Sequence, residues 1–339
     1  MRIKLLLIAA ATSIMSMMTT AHAQDQITGA GATFPAPIYQ RWAQDAKSSG
    51  LQINYQSIGS GSGINQIINR TVDFGATDAP LNPERLAQNN LIQIPTIMGS
   101  IVIAYNIPGV PTNSLRLTPE LLVQIFMGQI TRWNDPALVA INPHITLPRL
   151  PIGPTYRADG SGTTWIFTQY LSAVSEEWKT RIGAAVSVSW PAGNGARGNE
   201  GVSNIVGRNP GSIGYVESSF AVINNLNMAQ LRNRAGNFVL PTAQNVIETA
   251  SNAVWTVDNG FVPNLLNQTG ERSWPIVGAT YILLPLNAPD PAKTRSVVRF
   301  VEWFWANGNT SAERLHYVPL PDAVKQQLLS TLRTRLSIN

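Results

Sequence analysis

The sequence predicts an α/β fold of two domains, each with a mainly parallel β-sheet flanked by helices. Two observations predict it. Apolar residues recur alternately with helical and with strand periodicity along most of the chain. A chain of 339 residues is also long enough to form two such domains, each with its own core. No low-complexity linker, fixed-period repeat or charge run marks a boundary between them.

The first elements lie between residues 35 and 80. A helix is predicted from Pro35, with Ile38, Tyr39 and Trp42 on one face. The strand-like stretch QINYQSI follows, and then the glycine-rich GSGSG (59–63) opens a second helix. VDFGATDAP (72–80) reads as the next strand with a turn after it. Strand and helix therefore alternate in this first region.

Two long apolar runs predict buried strands. One covers residues 91–107 and contains Pro95 and Gly99, and the other begins at Ile276 as IVGATYILLPL. Helices are predicted after Thr118-Pro119-Glu120 and around two C-terminal apolar sets. These sets are Val297, Val298, Val301, Phe304 and Trp305, and Val324, Leu328 and Leu332.

Composition excludes several kinds of chemistry. The absence of cysteine removes a thiol nucleophile, a redox CxxC, a cysteine-ligated metal and a lipid-modified N-terminal cysteine. The formal charge of +5 contains no cluster of basic residues, so nucleic acid is not expected as a partner. Beyond the leader only His144 and His316 remain, and both are expected at the surface or in packing roles. We therefore expect no metal site and no cofactor.

The first 23 residues predict a secretory signal peptide. Arg2 and Lys4 precede an apolar stretch from residue 5 to about 18, and Ala21-His22-Ala23 forms a small-x-small cleavage site. An uncleaved membrane anchor is the alternative, but polar residues interrupt a stretch that is short for a span. We expect a periplasmic protein without a lipid anchor.

Three predicted helix starts could each bind an anion. They are ATFPAP with Thr33 and Phe34, IGSGSG with Ser60, and RADGSGTTWIF with Ser161, Gly162 and Thr163. Each offers hydroxyl donors and the unpaired N–H groups of a first helical turn, although such residues are more often simple caps. Arg157, four residues before Ser161, strengthens the third start because its guanidinium presents a planar fork of donors.

One acid and one glycine motif complete the candidates. Asp78 follows a strand-like stretch, where its side chain could point out of the sheet or simply form a turn before Pro80. GNGARG (193–198) matches a dinucleotide-binding pattern after VSVSW (186–190), which is predicted as a strand, and Glu217 lies where a ribose-binding acid would. Pro191 and Arg197 argue against that interpretation, and a loop at the rim of a cleft is more consistent with them.

In order along nearly the whole chain after the leader, these motifs resemble the periplasmic phosphate-binding proteins of ABC-type phosphate uptake systems. The strings that carry the resemblance are TGAGATFPAP, INYQSIGSGSG, TVDFGATDAP, RADGSGTTWIFTQYL, GNGARGNEGV and PGSIGYVE. The resemblance implies two lobes joined by a hinge that the chain crosses twice, with the ligand in the cleft between them. Lobe I would comprise residues 24–99 plus 274–339, and lobe II residues 100–273, with crossings near Ser100 and Trp274.

The resemblance also implies the ligand contacts and the partners. The contacts are Thr33, Phe34, Ser60, Asp78, Arg157, Ser161, Gly162 and Thr163. The implied partners are inorganic phosphate and an ABC-type permease in the inner membrane, and we expect a monomer. Two departures stand out: Tyr156 occupies the family's second basic position, and Gly61-Ser62-Gly63 reorders glycine and serine.

Selectivity is expected to come from matching donors and acceptors. An ionised Asp78 could only accept hydrogen bonds, so it would favour phosphate, which carries a proton, over sulfate, which carries none. Asp159 is the predicted partner that holds Arg157 in place. A receptor for another oxyanion and a secreted hydrolase using Ser161 are the alternatives, and the absence of an evident base argues against an enzyme.

Overall fold

The computed structural model describes residues 26–256 and 259–337. The predicted signal peptide lies outside the described residues. The first half contains β1 (Gln26–Gly31), α1 (Ala36–Asp45), β2 (Gln52–Ser57), α2 (Ser60–Ile68), β3 (Phe74–Thr77), α3 (Pro83–Gln88), β4 (Leu91–Tyr105), β5 (Arg116–Leu117), α4 (Pro119–Phe126), α5 (Pro136–Ile141), β6 (Gly153–Arg157) and α6 (Gly162–Val174). The second half contains α7 (Glu176–Arg181), β7 (Asn194–Ala196), α8 (Gly198–Arg208), β8 (Ser212–Glu217), α9 (Ser218–Ile223), β9 (Asn227–Met228), β10 (Gln230–Arg232), β11 (Phe238–Val239), α10 (Ala243–Ser251), β12 (Val277–Pro285), α11 (Pro291–Asn307), α12 (Asn309–Arg314) and α13 (Asp322–Leu336).

One large sheet runs through both lobes in the order β2-β1-β3-β12-β4-β8-β6-β7, and β9 adds to β4. The outer strands of each half pair in parallel, as the alternating pattern predicts: β1 with β2 and β3, and β6 with β7 and β8. The two connecting strands, β4 and β12, are antiparallel to their neighbours. The α/β prediction is therefore confirmed, with a mixed sheet in which antiparallel strands join two parallel halves.

The long strand β4 belongs to both halves of the sheet. From Leu91 to Ser100 it pairs with β12, and from Ile101 to Tyr105 it pairs with β8. Trp274, just before β12, donates its indole N–H to the carbonyl of Ile101 at 3.0 Å. β4 therefore changes partner between Ser100 and Ile101, and Trp274 contacts the strand at the same point.

Pro95 does not interrupt β4, although proline cannot donate to the ladder. The register between β4 and β12 shifts at Thr280 and Tyr281, which pair with Ile97 and Pro95. The extra residue, Thr96, forms a bulge. Its hydroxyl hydrogen bonds to the Tyr39 hydroxyl of α1 at 2.6 Å. The bulge thus accommodates the proline and ties the sheet to the first helix.

Aromatic stacks anchor the helices of each half to the sheet. In the first half, Trp42 of α1 stacks on Phe304 of α11 with ring centroids 4.3 Å apart. In the second, Phe167 of α6 stacks on Tyr215 of β8, also at 4.3 Å. Such pairs add to the hydrophobic burial that fixes both helices. As a result, the N-termini of α1 and α6 are held rigidly beside the ends of the parallel strands.

One predicted strand is wrong. VSVSW (186–190) is irregular, and the strand in this region is β7, which contains Gly195 of GNGARG. Because β7 pairs in parallel with β6, Gly195 lies in an edge strand and not in a phosphate-binding turn.

Candidate anion-binding site

The candidate residues meet where parallel strands from both halves end. Thr33 follows β1, Ser60 opens α2 after β2, and Asp78 follows β3. Across the cleft, Arg157 ends β6 and Ser161 caps α6. Ligands of open α/β sheets bind at this edge, beyond the carboxyl ends of the strands. The structure thus brings residues from four distant motifs to one place.

The two lobes touch at this edge. The Ser60 hydroxyl oxygen accepts hydrogen bonds from the backbone N–H of Asp78 at 3.3 Å and from that of Gly162 at 3.1 Å. Nearby, the Gly61 N–H donates to the Gly160 carbonyl at 2.8 Å. These bonds join α2 of one lobe to the loop before α6 of the other, so the cleft is closed. A side chain in place of Gly61 would meet the Cα of Gly160 at 3.2 Å, which explains why glycine follows Ser60 directly.

Asp78 is a buried acid without a partner. The residue is 1% exposed, and neither carboxylate oxygen has a hydrogen-bond partner among the described residues. Burial raises the pKa of Asp78 to about 7, against lowering effects from the Thr280 hydroxyl, the charge of Arg157 and the Ser60 hydroxyl. Buried polar groups are normally paired, and an unpaired one costs free energy. Asp78 is therefore a buried acid whose two oxygens the described residues leave without a hydrogen-bond partner.

Arg157 is buried and held by Asp159, as predicted. Its Nε donates to one carboxylate oxygen at 2.7 Å and its Nη2 to the other at 2.5 Å. The third nitrogen, Nη1, reaches the Thr163 hydroxyl at 3.4 Å. Burial alone would raise the pKa of Asp159, but the hydrogen bonds and charge of Arg157, with the Gly198 N–H, lower it. The pair is thus ionised, and it fixes the guanidinium beside the start of α6.

The remaining candidates surround this pair. Thr33, Phe34, Ser161 and Thr163 are all at most 3% exposed. The Ser161 hydroxyl accepts the Thr164 N–H at 3.0 Å, so Ser161 is the N-cap of α6. A Cβ on Gly162 would lie 2.5 Å from a carboxylate oxygen of Asp78 and 2.6 Å from the Ser60 hydroxyl oxygen. Glycine is thus required where the two lobes approach most closely.

Sequence reasoning missed Asn199, which links the candidates across the cleft. Its side-chain amide donates to the Thr33 hydroxyl at 2.7 Å and to the Thr163 hydroxyl at 3.2 Å. Its carbonyl oxygen accepts the Glu217 N–H at 3.0 Å. Asn199 lies in GNGARGNEG, directly after the glycine motif that was interpreted as a cleft-rim loop. The signal was its position at the start of a helix, α8, like the other three anion-binding starts.

The departures from the resembling family have structural explanations. Tyr156 packs on the Trp190 ring, with centroids 5.0 Å apart, one residue before Arg157 on β6. Because successive strand residues point to opposite faces, a base at this position would face away from Arg157.

Both histidines after the leader, His144 and His316, are exposed, as expected.

Within residues 26–256 and 259–337, no group of three or more His, Cys, Asp or Glu residues has the arrangement of a metal site. Over the same residues, no helix combines the length and apolarity that a bilayer span requires.

Known proteins share this chain's sequence over most of its length. A PBP superfamily domain model matches residues 18–307. The phosphate-binding protein PstS of Haemophilus influenzae is 45% identical over 325 residues, covering 95% of this chain and 97% of that protein. The phosphate-binding protein PstS of Xylella fastidiosa is 43% identical over 304 residues, covering 89% of this chain and 84% of that protein.

Solved structures share the fold. The high-affinity periplasmic phosphate-binding protein PfluDING, bound with phosphate, superposes with a TM-score of 0.73 at 23% identity and covers 90% of this chain and 93% of its own. A phosphate-binding protein from Stenotrophomonas maltophilia gives a TM-score of 0.68 at 21% identity, with the same coverage. These neighbours establish the two-lobed architecture, and the sequence relatives establish the group within it. The chain belongs to the PBP superfamily and, within it, to the PstS family of phosphate-binding proteins.

Proposed function

We propose that this protein binds inorganic phosphate in the closed cleft between its lobes and delivers it to an ABC-type permease. The observation that carries the proposal is Asp78, a buried carboxyl group whose two oxygens have no partner within the described chain. Two helix starts lie close to it: Ser60 opens α2, and Gly162 begins α6, where an added Cβ would lie 2.5 Å from a carboxylate oxygen of Asp78. A ligand for this site must accept many hydrogen bonds and donate at least one, and protonated phosphate does both.

The charges around the site favour an anion that is held mainly by dipoles. Asp159 already balances the charge of Arg157, so the pair as a whole is close to neutral. The N-termini of α1, α2, α6 and α8 converge on the cleft, and their partial positive charges stabilise a bound anion. Arg157 can still offer donors to an oxygen beside Thr163. This arrangement suits reversible binding.

We propose the eight predicted residues as the phosphate contacts: Thr33, Phe34, Ser60, Asp78, Arg157, Ser161, Gly162 and Thr163. Support comes from their burial and their convergence at one edge of the sheet. Asn199 supports them by joining Thr33 to Thr163. We propose the lobe boundaries as predicted, at residues 99/100 and 273/274. The change of partner along β4 between Ser100 and Ile101 supports the first of them.

We propose a binding protein and not an enzyme. The Ser161 hydroxyl serves as a helix cap, and neither His144 nor His316 has a buried position. A hydrolase would need a base within reach of Ser161. Turnover of a chromogenic phosphate ester that disappears in Ser161→Ala would contradict this assignment.

We propose that the protein works as a monomer in the periplasm. The signal-peptide pattern of residues 1–23 supports export. Delivery would follow from the hinge, since a permease can select the closed, loaded form over the open one.

Titration calorimetry with phosphate and sulfate in parallel tests the ligand. An unpaired buried carboxylate costs several kcal/mol, so sulfate is expected to bind at least about a hundredfold more weakly than phosphate. Comparable affinities for the two anions would overturn the role of Asp78 and favour a general oxyanion receptor.

A further inference from the structure

Glu217 is a second fully buried acid, and the anion site does not use it. It ends β8 beside the point where β4 changes partner, because it pairs with Ile101. The residue is 0% exposed. Its carboxyl group contacts the hydroxyls of Ser218, Ser219 and Tyr317 and the N–H of Ser219. Unlike Asp78, it is thus surrounded by partners.

Tyr317 connects this acid to the anion-binding loop. Its hydroxyl lies 2.9 Å from Oε2 of Glu217 and 2.6 Å from the carbonyl oxygen of Phe34. The Phe34 ring in turn packs over Gly99, where an added Cβ would lie 2.7 Å from it. The contact chain therefore runs from β8 of one half, through the C-terminal segment of the other, to the loop before α1.

The number of available protons limits which of these contacts can be hydrogen bonds. Five oxygen–oxygen contacts join Glu217, Ser218, Ser219, Tyr317 and the Phe34 carbonyl, but the three hydroxyls supply only three protons, and the one proton of Ser219 can serve only one of its two contacts. The Phe34 carbonyl can only accept, so it takes the single proton of Tyr317. The contact between Tyr317 and Glu217 then has no proton unless the carboxyl group carries one.

We infer that Glu217 is a positioning residue that is protonated in the folded protein below neutral pH and donates to Tyr317, which in turn donates to the Phe34 carbonyl and fixes the anion-binding loop. The inference rests on the proposed function for its effect on phosphate. Burial, the largest influence, raises the pKa of Glu217 to about 7, so the buried acid is neutral at mildly acidic pH and ionises above that value.

The surroundings of the pair contain no described basic partner. The carboxyl group of Glu217 is contacted by hydroxyls and one amide, and the neighbouring Asn199 side chain is uncharged. The other ionisable groups that bear on the pair are Tyr317 itself and Asp78, whose negative charge acts on Tyr317. Neither stabilises an ionised Glu217. Its titration is therefore expected to be governed by burial and by the hydroxyl contacts.

The first test needs no phosphate. The folded-state pKa is raised, so ionisation of Glu217 destabilises the wild type as the pH rises from about 4.5 towards 7. Glu217→Gln keeps a donor for Tyr317 and cannot ionise. We expect the Tm of the variant minus the Tm of wild type to be larger at pH 8 than at pH 5. An equal loss of Tm at both pH values would mean that Glu217 is ionised throughout, and would overturn the inference.

The second test measures positioning of the loop. Tyr317→Phe removes the donor to Phe34, and we expect phosphate affinity to fall on the order of tenfold. Tyr105→Phe is the matched control, since Tyr105 also donates to a backbone carbonyl, that of Pro111, and is not one of the proposed contact residues. Equal affinities for the Tyr317 and Tyr105 variants would overturn the positioning role.

These outcomes separate the two proposals. If the wild type binds no phosphate, the proposed function fails while the Tm comparison still reports on Glu217. If phosphate binds tightly and the Tm difference is flat with pH, the inference alone fails.

Discussion

Two buried carboxyl groups lie on either side of the hinge, and they differ in their partners. Burial raises the pKa of both Asp78 and Glu217 to about 7. Glu217 contacts three hydroxyls and an amide, whereas Asp78 has no hydrogen-bond partner for either oxygen among the described residues. Both acids are therefore equally buried, but Glu217 has hydrogen-bond partners and Asp78 has none for its carboxylate oxygens among the described residues.

Burial alone therefore does not identify a functional acid. A carboxyl group that the fold satisfies contributes to the native structure, and one that the fold leaves unsatisfied destabilises it until a ligand arrives. Asp159 is a third case, since Arg157 satisfies it with an ion pair and lowers its pKa. The partners of each acid are therefore expected to decide whether it affects stability or ligand binding.

The largest effect is expected for Arg157→Ala. The change removes a donor to phosphate and turns Asp159 into a second unpaired, half-buried carboxylate. Loss of one partner of a buried pair costs about 3–5 kcal/mol, so phosphate affinity should fall by at least two orders of magnitude. Calorimetric titration measures it.

Arg232→Ala is the control for this change, because it breaks an exposed ion pair with Glu120. Exposed pairs contribute little, and its affinity should match wild type. An Arg157→Ala protein with wild-type affinity would place the guanidinium outside the site.

Asp78→Asn should reduce selectivity. The amide can donate to a sulfate oxygen, so the repulsion that excludes sulfate disappears. We expect the ratio of phosphate to sulfate affinity to fall by about a hundredfold, from the several kcal/mol assigned to an unpaired buried charge. Competition binding with both anions measures the ratio. Glu217→Gln is the matched control, and an equal loss of selectivity in both variants would remove the distinction between the two acids.

Gly162→Ala should weaken binding by preventing full closure. The new methyl would lie within 2.6 Å of Asp78 and Ser60, which belong to the opposite lobe. We expect phosphate affinity to fall on the order of tenfold, since the clash exists only in the closed form. Gly153→Ala is the control, because its Cβ would approach no atom closer than 3.8 Å. Equal affinities in the two variants would mean that the lobes close less tightly than the structure shows.

The smallest effect concerns stability without ligand. Because the folded-state pKa of Asp78 is raised, its ionisation destabilises the empty protein as the pH rises from about 4 to about 7. Asp78→Asn is therefore expected to have a Tm a few degrees above wild type at pH 8, measured by calorimetry without phosphate.

Saturating phosphate should reverse this order, since the ligand stabilises wild type more strongly. A lower Tm for Asp78→Asn in the absence of phosphate would show that the fold satisfies Asp78 after all.

The sequence predicted most of this architecture because periodicity reports burial directly. The apolar runs at 91–107 and 276–286 became β4 and β12, and Thr118 and Ser161 became helix caps. The strand prediction for VSVSW failed because alternation of apolar and polar residues over five positions does not guarantee a strand to pair with. The edge strand is β7, which contains Gly195. Strand direction was also only partly predictable, since no local pattern marks β4 and β12 as antiparallel.

The candidate site was predictable as a set of residue types but not as a set of contacts. Hydroxyls and glycines at helix starts are visible in sequence, and so is an arginine near an acid. Asn199 carries only the weak signal of its position at a helix start, and Tyr317 carries none, because it acts through Phe34, which lies 283 positions away. The sequence signal at Glu217 was misleading, because its spacing from GNGARG suggested a contact with a ribose.

The sequence by itself therefore determined the α/β pattern, the absence of thiol chemistry and the donors available to an anion, because these depend on local periodicity and composition. The tertiary structure decided how these acids are buried and which of them lacks a partner. Asp159 pairs with Arg157, two residues away, as the sequence predicts, and Glu217 contacts the adjacent Ser218 and Ser219 together with the distant Tyr317. Of the three acids, Asp78 has no hydrogen-bond partner for either oxygen within the described chain. Burial is a property of neighbours in space, and Gly162 and Tyr317, which pack against Asp78 and Glu217, come from distant parts of the chain.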